Sequence, residues 1–312
     1  MENTVGYDYW IDDKDNLMAT DRRTGEVLPT VNVEIPVGSQ IRTPQDLERL
    51  KEWKKQQEQK EQEDENKKKR RNVARKFGGH LFIAGNQNFS DLAPATAARM
   101  IYLSTYVGYT ENGNKLCITQ KRQMHRDDLG GILNVSKTTA DRFLDEVKPR
   151  YVLEDENGML ALNDALFIRG SLNRKISFYR AYTQWIRILY KSIPKSQHRY
   201  LGYVFQLLPH INVEYNVLCY NPLVKDFDMV EFMTLDEFCD EIGFAKDHRH
   251  RLLQIYNRIQ FDVDDHKERF YSIISNGITK DNGKAHMFIN PRIIYSGSQL
   301  DTVALLGKFC KV

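Results

Sequence analysis

Two short segments of the chain place cationic and hydroxyl side chains at the start of a predicted helix. In the first segment these are Ser136, Lys137, Thr138, Thr139 and Arg142. In the second they are Lys246, His248, Arg249, His250 and Arg251. Arginine and lysine can pair with guanine in the major groove of DNA, and a threonine methyl group can contact thymine. These residue types therefore suggest the reading of base edges in duplex DNA.

Further cations lie where they could hold phosphate groups. Three of them, Lys121, Arg122 and Arg126, precede the first segment, and Lys280 and Lys284 lie in a predicted turn after the second. A dense block elsewhere consists of Lys67, Lys68, Lys69, Arg70 and Arg71. Phosphate contacts supply salt-sensitive affinity without specifying a sequence. We expect these residues to contribute affinity in that way.

The two segments are copies of one pattern. Residues 127–147 align with residues 236–256 at a separation of 109 positions, and apolar or aromatic residues coincide at six of them. Asn134 coincides with Gly243, and these residue types most readily adopt the left-handed conformation of a sharp turn. Each segment therefore predicts a short helix, a turn and a second helix buried on one face, which is typical of a helix-turn-helix.

Each copy is followed by a predicted β-hairpin and preceded by a predicted helix. Asn163 coincides with Asn290 at a separation of 127 positions, so the second copy carries an insertion of 18 residues between its helices and its last strand. Ser90 and Asp91 are the expected N-cap residues of the helix before the first copy. The first hairpin is acidic at residues 154–156, and we expect it to point away from DNA or to contact protein.

Two segments in these copies carry a resemblance to a known family. LNDALFIRG and FINPRIIYSG resemble the closing strand of winged-helix domains in replication initiators of Gram-positive plasmids and in related phage DNA-binding proteins. The resemblance covers residues 77–297. It implies tandem winged-helix domains that bind repeated sites in double-stranded DNA, with host replication or transcription proteins as further partners.

The expected fold is mainly α with small β-hairpins, an α+β class. Five parts are predicted in chain order: a β arm at 1–42, a charged helical linker at 43–76, a first winged helix at 77–172, a connecting helix and second winged helix at 173–297, and a tail at 298–312. The connecting helix is expected near residues 175–193. An apolar stripe in the tail is expected to dock on the body of the protein.

The composition and the sequence motifs exclude several classes of protein. The 312 residues carry a net charge of +3, and four scattered cysteines form no C-x-x-C pair, which suits a reducing cytoplasm. We find no apolar run long enough to span a membrane and no nucleotide-binding or nucleophile motif. We therefore expect a cytoplasmic protein, monomeric or homodimeric, without catalytic activity, cofactor or metal.

Two alternatives to a replication initiator remain open. A transcriptional regulator of a mobile element would use the same DNA-binding physics. A protein of another class, a viral inhibitor or assembly adaptor that binds protein, is favoured by the acidic first hairpin and the nearly balanced charge.

Overall fold

A computed structural model describes residues 7–12, 14, 16–29, 41–42, 44–85, 89–109, 113–119, 121–170, 177–274, 285–298 and 300–312. The chain divides into two units, Met1–Lys68 and Lys69–Val312. It combines helices with several small sheets, so the expected α+β class is confirmed.

The N-terminal unit contains the strands expected in the arm. They are β1 Tyr7–Ile11, β2 Leu17–Asp21, β3 Val27–Pro29 and β4 Ile41–Arg42. The sheet has the order β3-β2-β1-β4, with β1 and β2 antiparallel and β4 parallel to β1. At its centre Tyr9 pairs with Ala19, and both side chains are buried. The carboxylate of Asp12 accepts hydrogen bonds from Asn16 and closes the turn.

The charged segment forms one helix, α1, from Pro44 to Phe77. It contains strong helix formers and no glycine, and proline is tolerated at a first helical turn. The helix ends inside the C-terminal unit, where Val73 and Phe77 are buried in the main core. None of the described helices is both long and apolar enough to cross a membrane.

The C-terminal unit contains the remaining elements. Its helices are α2 Pro94–Ser104, α3 Leu129–Leu133, α4 Lys137–Val147, α5 Thr183–Ser192, α6 His198–Gln206, α7 Leu235–Glu241, α8 Arg249–Arg258 and α9 Leu300–Cys310. Its strands are β5 His80–Ala84, β6 Cys117–Thr119, β7 Arg122–Gln123, β8 Val152–Glu154, β9 Leu160–Leu162, β10 Phe167–Ile168, β11 Phe178–Tyr182, β12 Gln260–Val263, β13 His266–Arg269, β14 Tyr271–Ile274 and β15 His286–Ile289.

Matching hydrogen bonds show that the unit contains a structural repeat. The side-chain amide of Asn163 donates to the carbonyl of Arg150 at 2.9 Å, and that of Asn290 donates to the carbonyl of Arg269 at 2.9 Å. The backbone N–H of each asparagine donates to the carbonyl of the residue that follows that arginine. The internal repeat predicted from the sequence is therefore confirmed after the helices as well as within them.

These bonds also divide the 18-residue insertion. Arg269 follows Arg150 by 119 positions, a value between the 109 of the helices and the 127 of the asparagines. Ten of the inserted residues therefore precede β14, where β12 and β13 form an antiparallel hairpin without a counterpart in the first copy. The other eight separate β14 from β15, the pair that corresponds to β8 and β9.

A central sheet that the sequence did not predict joins the two copies. Its strands have the order β10-β5-β11 and are antiparallel. The connecting helix expected near residues 175–193 is therefore wrong in its first half, because β11 occupies Phe178–Tyr182 and α5 begins at Thr183. All five residues of β11 are buried, as in a strand that is covered on both faces.

The pairing in this sheet follows a local two-fold axis. Phe167 of β10 pairs with Ile83, and its counterpart Ile294 pairs with Ala181, which makes Ala181 the counterpart of Ile83. Between β5 and β11, Ile83 pairs with Tyr179, which lies two positions before Ala181. In the same way Ala181 pairs with Leu81, which lies two positions before Ile83. A two-fold axis between the two strands produces this pattern.

The helices α2 and α6 pack against each other beside the sheet. A side chain on Gly202 of α6 would place its Cβ 1.6 Å from the carbonyl oxygen of Pro94. The side chain of Gln206 donates to the carbonyl of Leu92 at 2.7 Å. One hydrophobic core runs through both copies, so these helices help hold the copies together.

The start of α2 differs from the sequence prediction, whereas the tail agrees with it. Ser90 and Asp91 do not cap α2, because the helix begins at Pro94 and Ala93 is its N-cap residue. Asp91 instead accepts a hydrogen bond from the hydroxyl of Tyr151. In the tail, α9 buries Val303, Leu306 and Cys310, so the predicted docking on the body is confirmed.

Candidate nucleic-acid interface

The helix α4 presents a polar face because its other face is buried. Its N-cap residue is Ser136, whose hydroxyl accepts a hydrogen bond from the backbone N–H of Thr139 at 3.3 Å. Its apolar side chains lie in the core at Ala140, Phe143, Leu144 and Val147. Three predicted DNA-binding residues, Lys137, Thr138 and Arg142, are consequently exposed.

The helix α8 has the same arrangement with a different first turn. Residues Lys246–His248 form a 3-10 turn, and the α-helix itself begins at Arg249. His248, His250 and Arg251 are exposed, as is Lys246.

The alignment of the copies matches two exposed cations of the first copy with two of the second. Lys137 corresponds to Lys246, and Arg142 corresponds to Arg251. The turns before the helices also correspond, because Asn134 and Gly243 both have positive φ, 54° and 64°. The left-handed turns predicted from the sequence are therefore confirmed.

Several of the predicted DNA-binding cations are paired with carboxylates of the protein. Arg122 lies 2.5 Å from Asp128, and Arg249 lies 3.5 Å from Asp236. Lys137 lies 4.0 Å from a carboxylate oxygen of Asp127. These partners reduce the positive charge that the surface offers to phosphate.

Lys246 is also paired, at 2.7 Å from Asp240, and the hydrogen bond raises the pKa of Lys246. Arg142 and Arg251 differ from Lys246, because neither forms an ion pair with another described residue. Lys121, His248 and His250 likewise form no ion pair with another described residue. The matched arginines are therefore the strongest candidates for contacts with DNA.

One of the three carboxylates of the acidic first hairpin, Glu154, is paired with cations of the same chain. Glu154 lies 2.5 Å from Lys148 and 3.2 Å from Arg126, and only 13 % of its side chain is exposed. Asp155 accepts hydrogen bonds from two backbone N–H groups of its own turn. Arg126, a predicted phosphate contact, is thus held by Glu154 and by Asp141 at 3.5 Å. The pairing reduces the net negative charge of the hairpin, whereas Asp155 and Glu156 stay exposed.

Replacing Glu154 with glutamine is expected to lower the free energy of unfolding by about 1 kcal/mol near neutral pH. Hydrogen bonding to Lys148 lowers the pKa of Glu154 below its ordinary value of 4.5. The stabilisation is complete above that ordinary value and is lost as pH falls through the lowered one. Urea unfolding of both proteins between about pH 3 and pH 7 should show the difference shrinking in acid. A difference that stays constant over this range would contradict the pairing.

The basic block at the end of α1 is not uniformly exposed. Lys67 pairs with Asp64 at 3.0 Å, and Lys68 and Arg71 are exposed. Lys69 is exposed as well, whereas Arg70 is half-buried and its Nε atom has no hydrogen-bond partner among the described residues. Arg70 lines a cavity together with Arg180 and Glu214. The exposed cations of this block are therefore its three lysines and Arg71.

Two predicted phosphate contacts, Lys280 and Lys284, lie outside the described residues. In the part of the chain that the structure covers, no three His, Cys, Asp or Glu residues are placed to hold a metal ion. No family model, curated protein or solved structure matches this chain. Its own geometry and its internal repeat therefore have to indicate what it does.

Proposed function

We propose that this protein binds double-stranded DNA through two winged helices and acts as a replication initiator of plasmid or phage type at repeated sites. One observation carries the proposal. Equivalent positions of the two copies expose a lysine and an arginine each, Lys137 and Arg142 in α4, and Lys246 in the 3-10 turn before α8 with Arg251 in α8 itself. Arginine and lysine at the start of a second helix are well placed to contact base edges in the major groove.

The order of elements supports a winged helix in each copy. In the first copy a helix, two short paired strands, two helices and a hairpin follow one another as α2, β6–β7, α3, α4 and β8–β9. In the second copy α6, α7, α8 and β14–β15 take the corresponding places. The strand between the first two helices is represented there by residues 217–219, which form bridges to Phe288 and Phe232.

The local two-fold axis suggests how the DNA sites are arranged. Two reading helices related by such an axis meet the duplex in opposite directions, so we expect two inverted half-sites for one chain. A homodimer would double that number. A transcriptional regulator of a mobile element would bind in the same way. Mapping the occupied sites to an origin or to promoters separates the two roles.

A protein-binding inhibitor or adaptor is the second candidate function. It is favoured by the carboxylates beside Arg122, Lys246 and Arg249, and by a net charge of only +3. Such a protein would have little affinity for duplex DNA, whatever the salt concentration.

The salt dependence of binding to random-sequence duplex DNA tests the proposal. With about four phosphate contacts, the affinity is expected to fall about 100-fold between 50 and 200 mM salt. Fluorescence anisotropy of a labelled duplex measures this directly. Absence of binding at the lower concentration, or binding that does not respond to salt, would favour the protein-binding alternative.

A further inference from the structure

One loop of the second copy is longer than its counterpart in the first. The backbone N–H of Met124 donates to the carbonyl of Leu116, and in the same way that of Met233 donates to the carbonyl of Leu218. Eight positions separate the first pair and fifteen separate the second. The second copy therefore has seven additional residues between the strand at residues 217–219 and α7. We refer to residues 220–231 as the inserted loop.

The inserted loop exposes large apolar side chains. Leu223 is 63 % exposed and Met229 is 66 % exposed, and Tyr220 and Phe227 are 44 % and 45 % exposed. These four side chains lie within ten consecutive residues, and apolar side chains that cluster on a protein surface often mark a site of interaction. Aromatic residues and methionine are also enriched in protein–protein interfaces.

The loop is held in place by hydrogen bonds between side chains and its backbone. The side chain of Asn221 donates to the carbonyl of Met229 at 2.8 Å and accepts from the N–H of Glu231 at 2.9 Å. The side chain of Asn212 donates to the carbonyl of Val224 at 2.8 Å, and the hydroxyl of Tyr215 donates to the carbonyl of Lys225. A surface that is already ordered loses less conformational entropy when it binds.

The charge of the loop indicates which partner it suits. Asp226, Asp228 and Glu231 are exposed around the apolar side chains and outnumber the exposed cation of the loop, Lys225. Burial raises the pKa of Tyr220, and the nearby carboxylates of Glu237, Glu241 and Asp240 raise it further. This concentration of negative charge would repel nucleic acid and would attract a basic partner.

We propose that the inserted loop docks a helical segment of a partner protein that combines a leucine-rich or aromatic stripe with flanking lysine and arginine residues. The stripe would cover Leu223, Phe227 and Met229, and the cations would face Asp226, Asp228 and Glu231. An amphipathic helix can bring both groups to one surface, because residues three and four positions apart lie on the same face. This inference does not depend on DNA binding.

A labelled amphipathic peptide built from leucine and lysine tests the inference, with a leucine–glutamate peptide of the same pattern as its control. We compare the wild-type chain with the double variant L223S/M229S. The matched control is V27S/L153S, which also removes two exposed aliphatic side chains, 48 % and 47 % exposed. A charge variant, D228N/E231Q, tests the contribution of the carboxylates separately from that of the apolar side chains. Circular dichroism confirms that each variant is folded.

The wild-type chain is expected to bind the leucine–lysine peptide and not its acidic counterpart. In L223S/M229S the Kd should rise at least tenfold, while V27S/L153S should change it less than twofold. In D228N/E231Q the Kd should rise about threefold to tenfold and depend less on salt. The affinity for duplex DNA should be the same in L223S/M229S as in the wild-type chain, which keeps this test separate from that of the proposed function.

Three results would overturn the inference. They are no binding of the leucine–lysine peptide, equal binding by the wild-type chain and L223S/M229S, and equal binding of the acidic peptide. Sedimentation tests for a fourth such result. If the wild-type chain is a dimer and L223S/M229S is a monomer, a second copy of this chain occupies the loop.

Discussion

The double variant R142A/R251A is expected to weaken binding to duplex DNA about 100-fold or more. A good arginine contact with a base contributes about 1–3 kcal/mol, and the variant removes one from each helix. Both arginines are exposed and neither forms an ion pair with a described residue, so the folded structure should be retained. Anisotropy titration of a labelled duplex at fixed salt measures the loss.

The matched control for this variant is R22A/R23A, which removes the same charge from the exposed turn of the N-terminal sheet. It should retain most of the affinity. Each single variant, R142A or R251A, should lose part of the affinity, because the two helices have equivalent positions in the repeat. If R251A alone accounted for the whole loss, reading by both copies would be excluded. If R22A/R23A lost as much as R142A/R251A, binding would depend on overall charge only.

Replacing Gly202 with alanine is expected to cost about 3 kcal/mol of the free energy of unfolding, or more. The new Cβ atom would meet the carbonyl oxygen of Pro94 at 1.6 Å, and a backbone group cannot move aside as a flexible side chain can. Because α2 and α6 hold the two copies together, the variant should also lower the affinity for duplex DNA. Urea denaturation followed by circular dichroism measures the change in stability.

Gly307 provides the control for this prediction. It lies within α9, and a Cβ atom added there would meet no heavy atom within 4 Å beyond its chain neighbours and the backbone of its own helix. Alanine is favoured over glycine inside a helix by about 0.5–1 kcal/mol, so G307A should be slightly more stable than the wild-type chain. Equal stability of G202A and G307A would show that α2 and α6 do not pack as closely as described.

The helices and turns of the repeat could be predicted from the sequence because their causes are local. Apolar residues at helical spacing determine which face of α4 is buried, and this holds at Phe143 and Leu144. Asn134 and Gly243 adopt left-handed turns because few other residue types do so easily. The charged helix α1 follows from strong helix formers in an unbroken run.

The charge state of the candidate interface could not be predicted in the same way. Arg126 and Glu154 are separated by 28 positions, and only the folded chain brings them to 3.2 Å. The sequence therefore showed the acidic hairpin but not the cations that pair with Glu154. The inserted loop was missed for a related reason, since its length becomes informative only when hydrogen bonds align the two copies.

The sequence by itself determined the repeat, its helices and the cations at their exposed starts, because side-chain periodicity and turn preference act over a few neighbouring residues. Only the tertiary structure decided that residues 178–182 form a strand and that β5 and β11 join the copies about a two-fold axis. Strand pairing depends on partners about a hundred positions away, and no local pattern in either strand specifies which partner it meets.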